Sequence, residues 1–192
     1  MLVLIADIHL EESQPQITAN FLHFLENLSP ETTQLYLLGD IFNVWVGDDA
    51  MTPYHHQIAS ALKAVSDQGI EVFIMHGNRD FALGQTFCQL AGCTLLPDPY
   101  VFSPFGQRLV LSHGDLLCTA DKGYQRLRKV FRNPFVQWLL YLTPVSWRQK
   151  LGNKTRATSA KNTQYKPSYL TDVTFSAVQQ LLVEHQSQVL IH

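Results

Sequence analysis

The chain has 192 residues and is 46% hydrophobic, enough for one ordinary core. No window approaches the roughly 18 apolar residues of a membrane span, and no basic leader precedes a long apolar stretch, so a soluble or peripheral protein is expected. The formal charge of −2 hides a division: residues 1 to 121 hold fourteen of the sixteen acids and only three bases, whereas 122 to 166 hold the other eleven bases and no acid.

In chain order, the first predicted element is a strand over Leu2–Ala6 that runs into Asp7 and His9. Residues two apart on an extended chain face the same side, so both side chains are expected to reach one point past the strand, a point suited to a metal ion. Ile17, Phe21, Phe24 and Leu28 then recur at helical spacing. Leu35–Leu38 reads as a strand ending in Asp40. Ile58, Leu62 and Val65 mark a second helix, with Asp67-Gln-Gly69 as its end and turn. Val72–Met75 leads to Asn78, Leu109–Ser112 to His113, and Val189–Ile191 to His192. Strands alternating with helices predict an α/β layered fold, whose sites lie beyond the carboxyl ends of the strands. Asp7, His9, Asp40, Asn78 and His113 therefore form one candidate cluster. Any one of them alone is more readily structural, such as a helix cap, but five such placements in succession are hard to credit to capping.

The segment 122 to 166 breaks this rhythm. Tyr124, Leu127 and Phe131 suggest a helix, Asn133-Pro134 interrupts it, and the apolar run "FVQWLLYL" (135 to 142) follows, stopped by Pro144. The segment reads as a helical, basic cap inserted in the α/β domain. The apolar run is either a buried helix or, beside its bases and with Trp138 and Trp147, an interfacial one. The bases are either a solvated face or a surface for phosphates of nucleotide, nucleic acid or anionic membrane. Cys88, Cys93 and Cys118 form no CxxC pair, which favours a reducing compartment.

Mixed oxygen and nitrogen donors without cysteine favour a divalent ion such as Mn²⁺, with Fe, Co, Zn or Mg as competitors, and argue against a closed structural zinc site. Two such ions sharing a carboxylate, with Asp40 as the expected bridge, would activate water against a phosphoryl group.

The ordered motifs D-x-H, G-D (Gly39, Asp40), G-N-x-D (Gly77 to Asp80) and H-G (His113, Gly114) resemble the calcineurin-like metallophosphoesterases. The segments "YLLGDIFNVWVGDD", "HGNRDF" and "SHGDLLCTADKGYQ" are similar, more closely, to the UDP-2,3-diacylglucosamine hydrolase family of lipid A biosynthesis, over essentially all 192 residues. The superfamily commonly has His after the Asn of its third motif; here Arg79 follows Asn78, as in the lipid A enzymes. The resemblance implies a metallophosphoesterase-type β-sandwich flanked by helices. It implies hydrolysis of UDP-2,3-diacylglucosamine to UMP and 2,3-diacylglucosamine 1-phosphate (lipid X), with two divalent ions, manganese above all. Asp7, His9, Asp40, Asn78 and His113 would be ligands, with Asp40, Asn78 and His113 at the chemistry. Asn78 and Arg79 would hold substrate phosphate, and Asp121, Ser159, Thr163 and Lys166 the glucosamine phosphate head group, Thr163 standing where relatives have Asn. The cap would cover acyl chains.

The implied partners are the lipid-nucleotide substrate and an anionic inner-membrane surface of a Gram-negative bacterium, on the cytoplasmic side, with no nucleic acid and a monomeric chain. Alternatives are a phosphoesterase for another ester or nucleotide, and a basic module with a structural metal. The clustering of Phe135, Trp138, Leu139, Leu140 and Tyr141 into one apolar run suits acyl chains better than the interleaved aromatics of a nucleic-acid surface. Relatives of this type continue after "LIH" into Gly-His-x-His. The expectation is thus a single domain over 1 to 192, C-terminally incomplete, with an incomplete metal site, little turnover, and His192 beside the site without being a ligand.

Overall fold

The computed structural model describes residues 1–165, 170 and 172–192, with the side chains of 158–165 outside that description. The chain divides into two compact units, Met1–Leu96 and Pro97–His192.

The first unit runs β1 (Leu2–Ile5), α1 (Pro15–Glu26), β2 (Gln34–Leu37), α2 (Pro53–Asp67), β3 (Glu71–Met75), α3 (Gln85–Ala91) and β4 (Cys93–Leu96). Its strands form one parallel sheet in the order β1-β2-β3-β4, with Leu4 opposite Tyr36, Tyr36 opposite Phe73 and Phe73 opposite Thr94. Parallel neighbours require crossovers, and the helices supply them. The apolar stripes predicted for α1 and α2 face a common core in which Leu35, Leu37, Ile58, Leu62 and Phe87 are fully buried. Helix α2 starts at Thr52, whose backbone N–H donates to His55 Nδ1 at 3.0 Å, with Pro53 in the first turn, where its missing N–H costs nothing. The helix ends at Asp67, and Gly69, at φ +89°, makes the expected turn into β3.

The second unit contains β5 (Tyr100–Phe102), β6 (Leu109–Leu111), α4 (Lys122–Phe131), α5 (Pro134–Tyr141), α6 (Val145–Tyr165), α7 (Phe175–Glu184) and β7 (Val189–Ile191). β6 is central in this sheet, antiparallel to β5 and parallel to β7. Val110, Leu117 and Leu181 make a small core. Residues 122–131, 134–141 and 145–165 are helical, and Asn133 both interrupts and starts a helix: its Oδ1 accepts from the backbone N–H groups of Phe135 (2.9 Å) and Val136 (3.4 Å). Of the two readings of the apolar run, the buried one fails. Phe135, Trp138, Leu139 and Leu142 are all more than half exposed, as is Trp147 on α6. Among the described residues no helix is long and apolar enough to cross a membrane. All three cysteines are free thiols.

Candidate active site

Within the first unit, the loops after β1, β2 and β3 bring Asp7, His9, Asp40 and Arg79 together. His9 Nε2 lies 3.7 Å from Asp7 Oδ1, and His9 Nδ1 lies 3.8 Å from Asp40 Oδ2. Carboxylate oxygens of Asp7 and Asp40 are within 4.8 Å of each other. Asp40 is buried; its Oδ1 accepts from the Arg79 backbone N–H at 2.9 Å, and its Oδ2 is 3.3 Å from Arg79 Nε. Asn78 stands between these residues and β3, exposed in its loop.

The reason for convergence differs from the one read off the sequence. β1 stops at Ile5, so extended alternation no longer governs Asp7 and His9. Both residues, and Asp40, adopt left-handed backbone, at φ +55°, +55° and +52°. Asp and His tolerate that region better than most residues, yet each placement still costs about 1 kcal/mol or more. The surroundings hold them there: Asp7 N–H donates to Gly39 O (3.2 Å), His9 N–H to Asp40 O (2.9 Å) and Leu10 N–H to Ile41 O (2.7 Å). The first loop is thus zipped onto the second beyond the end of the sheet.

A residue that sequence reasoning passed over fixes the second loop to the third. Asp80, 1% exposed, accepts backbone N–H bonds from Gly77 (2.7 Å) and Asp40 (3.3 Å) on Oδ1, and from Ile41 (2.7 Å) and Phe42 (3.4 Å) on Oδ2. One anion so placed satisfies donors that a tight turn leaves unpaired. Close approach of the two loops also explains Gly77, where any Cβ would collide with the Asp40 carboxylate and backbone nitrogen. Asp48 repeats the device further out, accepting from Gly84 N–H (2.8 Å), Phe87 N–H (3.0 Å) and Trp45 Nε1 (3.1 Å). The only signal in the sequence is the Asp that closes G-N-x-D.

In the second unit His113 follows β6, half-buried, between Ser112 and Gly114. Ser112 Oγ donates to Asp98 at 2.7 Å and accepts from Gly114 N–H at 3.0 Å. Gly114 is at φ +91°, and the His192 ring stands where a Cβ would project. Next to this strand end lies a buried ionic cluster. Arg128 Nε is 2.9 Å and Arg132 Nη2 3.3 Å from Asp115 Oδ2, and Arg128 Nη2 is 3.4 Å from Asp98 Oδ2. The Tyr124 hydroxyl donates to Asp115 at 2.7 Å. Burial works against ionisation of Asp115, but Arg132, Arg128 and the phenol together hold its carboxyl below the usual range. For Asp98 burial wins and raises it. Part of the basic block is therefore consumed internally. Arg148 is likewise buried, stacked over the Tyr141 ring.

Asp121, expected at the head group, serves as N-cap of α4, accepting from Tyr124 N–H at 3.0 Å. Ser159 and Thr163 have their backbone in α6 with side chains outside the description, and Lys166 lies outside the described residues.

No protein-family model matches the chain. A solved structure of a protein of unknown function from Aquifex aeolicus covers 68% of this chain and 72% of its own, at 20% identity and a TM-score of 0.42. The UDP-2,3-diacylglucosamine hydrolase of Stutzerimonas stutzeri is 50% identical over all 192 residues, which cover 80% of that relative. The protein of the same name from Pseudomonas entomophila is 47% identical, with the same coverage. At 50% identity over all 192 residues, the chain belongs to the UDP-2,3-diacylglucosamine hydrolase family.

Proposed function

We propose that this protein hydrolyses the pyrophosphate bond of UDP-2,3-diacylglucosamine in lipid A biosynthesis. Water adds to one phosphorus, one P–O bond of the anhydride breaks, and UMP and 2,3-diacylglucosamine 1-phosphate leave. The observation that carries the reading is the convergence of Asp7, His9, Asp40 and Arg79 past one sheet edge in a chain of this family.

The donor set fits divalent ions: carboxylate oxygens and imidazole nitrogens, with three donor residues held at positive φ by neighbouring backbone. Asp7, His9, Asp40, Asn78 and His113 would hold two manganese ions, with Asp40 shared between them. Such ions polarise a phosphoryl group and lower the pKa of water towards neutrality. Arg79, whose planar guanidinium makes paired bonds to phosphate oxygens, binds and orients the diphosphate together with Asn78. Asp121, Ser159, Thr163 and Lys166 take the glucosamine phosphate. The cap at 122 to 166 lays its exposed apolar side chains against acyl chains and meets an anionic inner-membrane surface on the cytoplasmic side. The fold this reading carries is the layered metallophosphoesterase β-sandwich, active as a monomer.

The test is kcat/KM of manganese-loaded protein on UDP-2,3-diacylglucosamine against a generic phosphodiester, with Asp40→Ala beside the wild type. A strong preference for the lipid nucleotide, and loss of both turnover and bound metal in Asp40→Ala, are expected. Equal turnover of both substrates overturns the substrate reading, and undiminished metal content in the variant overturns the shared ligand.

A further inference from the structure

Arg79 does not hang freely beside Asp40. Its Nη1 donates to Asn43 Oδ1 at 2.6 Å, and Asn43, 3% exposed, turns its Nδ2 to the Glu11 carboxylate in a short hydrogen bond. The backbone is fixed as well: Asn43 N–H donates to Leu10 O at 3.0 Å, and Trp45 N–H to Arg79 O at 3.0 Å. We infer that Glu11 and Asn43 are positioning residues that fix the Arg79 guanidinium for the substrate phosphate, an inference that rests on the function proposed above.

The chemistry allows the relay to run one way. A carboxylate only accepts and a guanidinium only donates, so Asn43 must give its NH₂ to Glu11 and its carbonyl to Arg79. Glu11 thereby selects the amide orientation that Arg79 needs. An amide oxygen also anchors the guanidinium without cancelling its charge, as a carboxylate at the same place would. Arg79 thus keeps its positive field for an incoming phosphate while losing the rotamer freedom it would otherwise give up on binding. Among the described residues, the other partner of its side chain is Asp40, the proposed metal ligand. Asn43 is the anchor that does not belong to the ligand set.

The experiment combines kinetics with side-chain motion. Asn43→Ala is expected to lower kcat/KM about tenfold, the scale of one hydrogen bond to a charged group, and to add nothing to the loss in Arg79→Ala. Asn43→Asp, facing Glu11, should lose activity too, and Glu11→Gln added to it should restore the ordering of Arg79 but not the activity, because the carboxylate then held against the guanidinium cancels its charge. In the metal-free protein, ¹⁵N relaxation of Arg79 Nε should show greater motion in Asn43→Ala than in wild type, at an unchanged melting temperature. Wild-type kinetics and unchanged Arg79 motion in Asn43→Ala overturn the inference, as do additive losses in the Asn43→Ala, Arg79→Ala double variant or no return of Arg79 ordering when Glu11→Gln is added to Asn43→Asp. Full turnover by Arg79→Ala overturns the phosphate role itself, and the relaxation measurement, which needs neither metal nor substrate, still decides whether the relay orders the side chain.

Discussion

In the first unit Leu35, Leu37, Ile58, Leu62 and Phe87 pack a continuous apolar interior, and the buried carboxylates Asp80 and Asp48 stitch only the loops above it. Among the described residues of the second unit, Val110, Leu117 and Leu181 form a smaller cluster, and Asp98, Asp115, Arg128 and Arg132 pair. Area-driven burial is non-directional and tolerates change in its surface, whereas a buried ionic cluster is stable only while every partner is present. The two regions should therefore break under different substitutions and at different pH.

The largest effect is expected in the first interior. Leu62→Ala removes a fully buried side chain and should cost about 2–5 kcal/mol in urea denaturation. Leu117→Ala, in the smaller cluster, should cost less; an equal loss would erase the contrast.

Next comes the ionic cluster. Arg128→Met leaves Asp98 and Asp115 buried with one cation fewer, and should destabilise by about 2 kcal/mol or more. Arg128→Met combined with Asp115→Leu should be less damaging than Arg128→Met alone, because the orphaned charge goes too. Simple additivity of the two changes would show that the pair is solvated.

Acid should then separate the units. Burial lowers the pKa of His55 to about 4, so its stabilising contribution is complete above the ordinary histidine value of about 6.5 and is lost as pH falls towards 4. The proton would occupy the Nδ1 that accepts from Thr52 at the start of α2. Asp115, with its lowered pKa, contributes above about 3.9 and fails only below that, while Asp98, with its raised pKa, has the opposite slope. Hydrogen exchange between pH 6.5 and 4 should show α2 opening first, and His55→Asn, which keeps an acceptor without titrating in that range, should flatten the response. Opening that starts in the second unit would contradict this order.

The smallest effect on stability is expected at the exposed cap. Trp138→Ser should change unfolding free energy by no more than about 0.5 kcal/mol while weakening association with anionic vesicles. Vesicle binding unchanged by both this substitution and added salt would remove the membrane-facing role.

The same contrast explains what was legible in the sequence. β1, β2, β3, β6 and β7 announced themselves as short apolar runs, and Asp7, His9 and Asp40 were visible because each follows a strand, whereas Arg79 was named only through the family resemblance. α3 was missed because seven residues are less than two full turns, too few for a helical period to declare itself. β4 was missed because "CTLL" follows α3 directly, across Gly92 in the left-handed region, with no loop to mark it. The arginines of α4 read as either a solvated face or a phosphate-facing surface, not as buried ion pairs, since their partners Asp98 and Asp115 lie 30 and 13 residues before Arg128. The roles of Asp80 and Asn43 were illegible for a different reason, although Asp80 itself closes the G-N-x-D motif: their partners are backbone N–H groups and a distant side chain, neither of which leaves a pattern in residue types.

The left-handed conformations of Asp7, His9 and Asp40 carry a consequence for protein engineering. A glycine at Asp7 or His9 would relieve local strain and raise melting temperature, so selection for heat resistance alone would favour it, whereas one at Asp40 would also remove the buried carboxylate that holds Arg79. Directed evolution of this chain without a turnover screen would then select its most durable variants at the very positions where the chemistry resides.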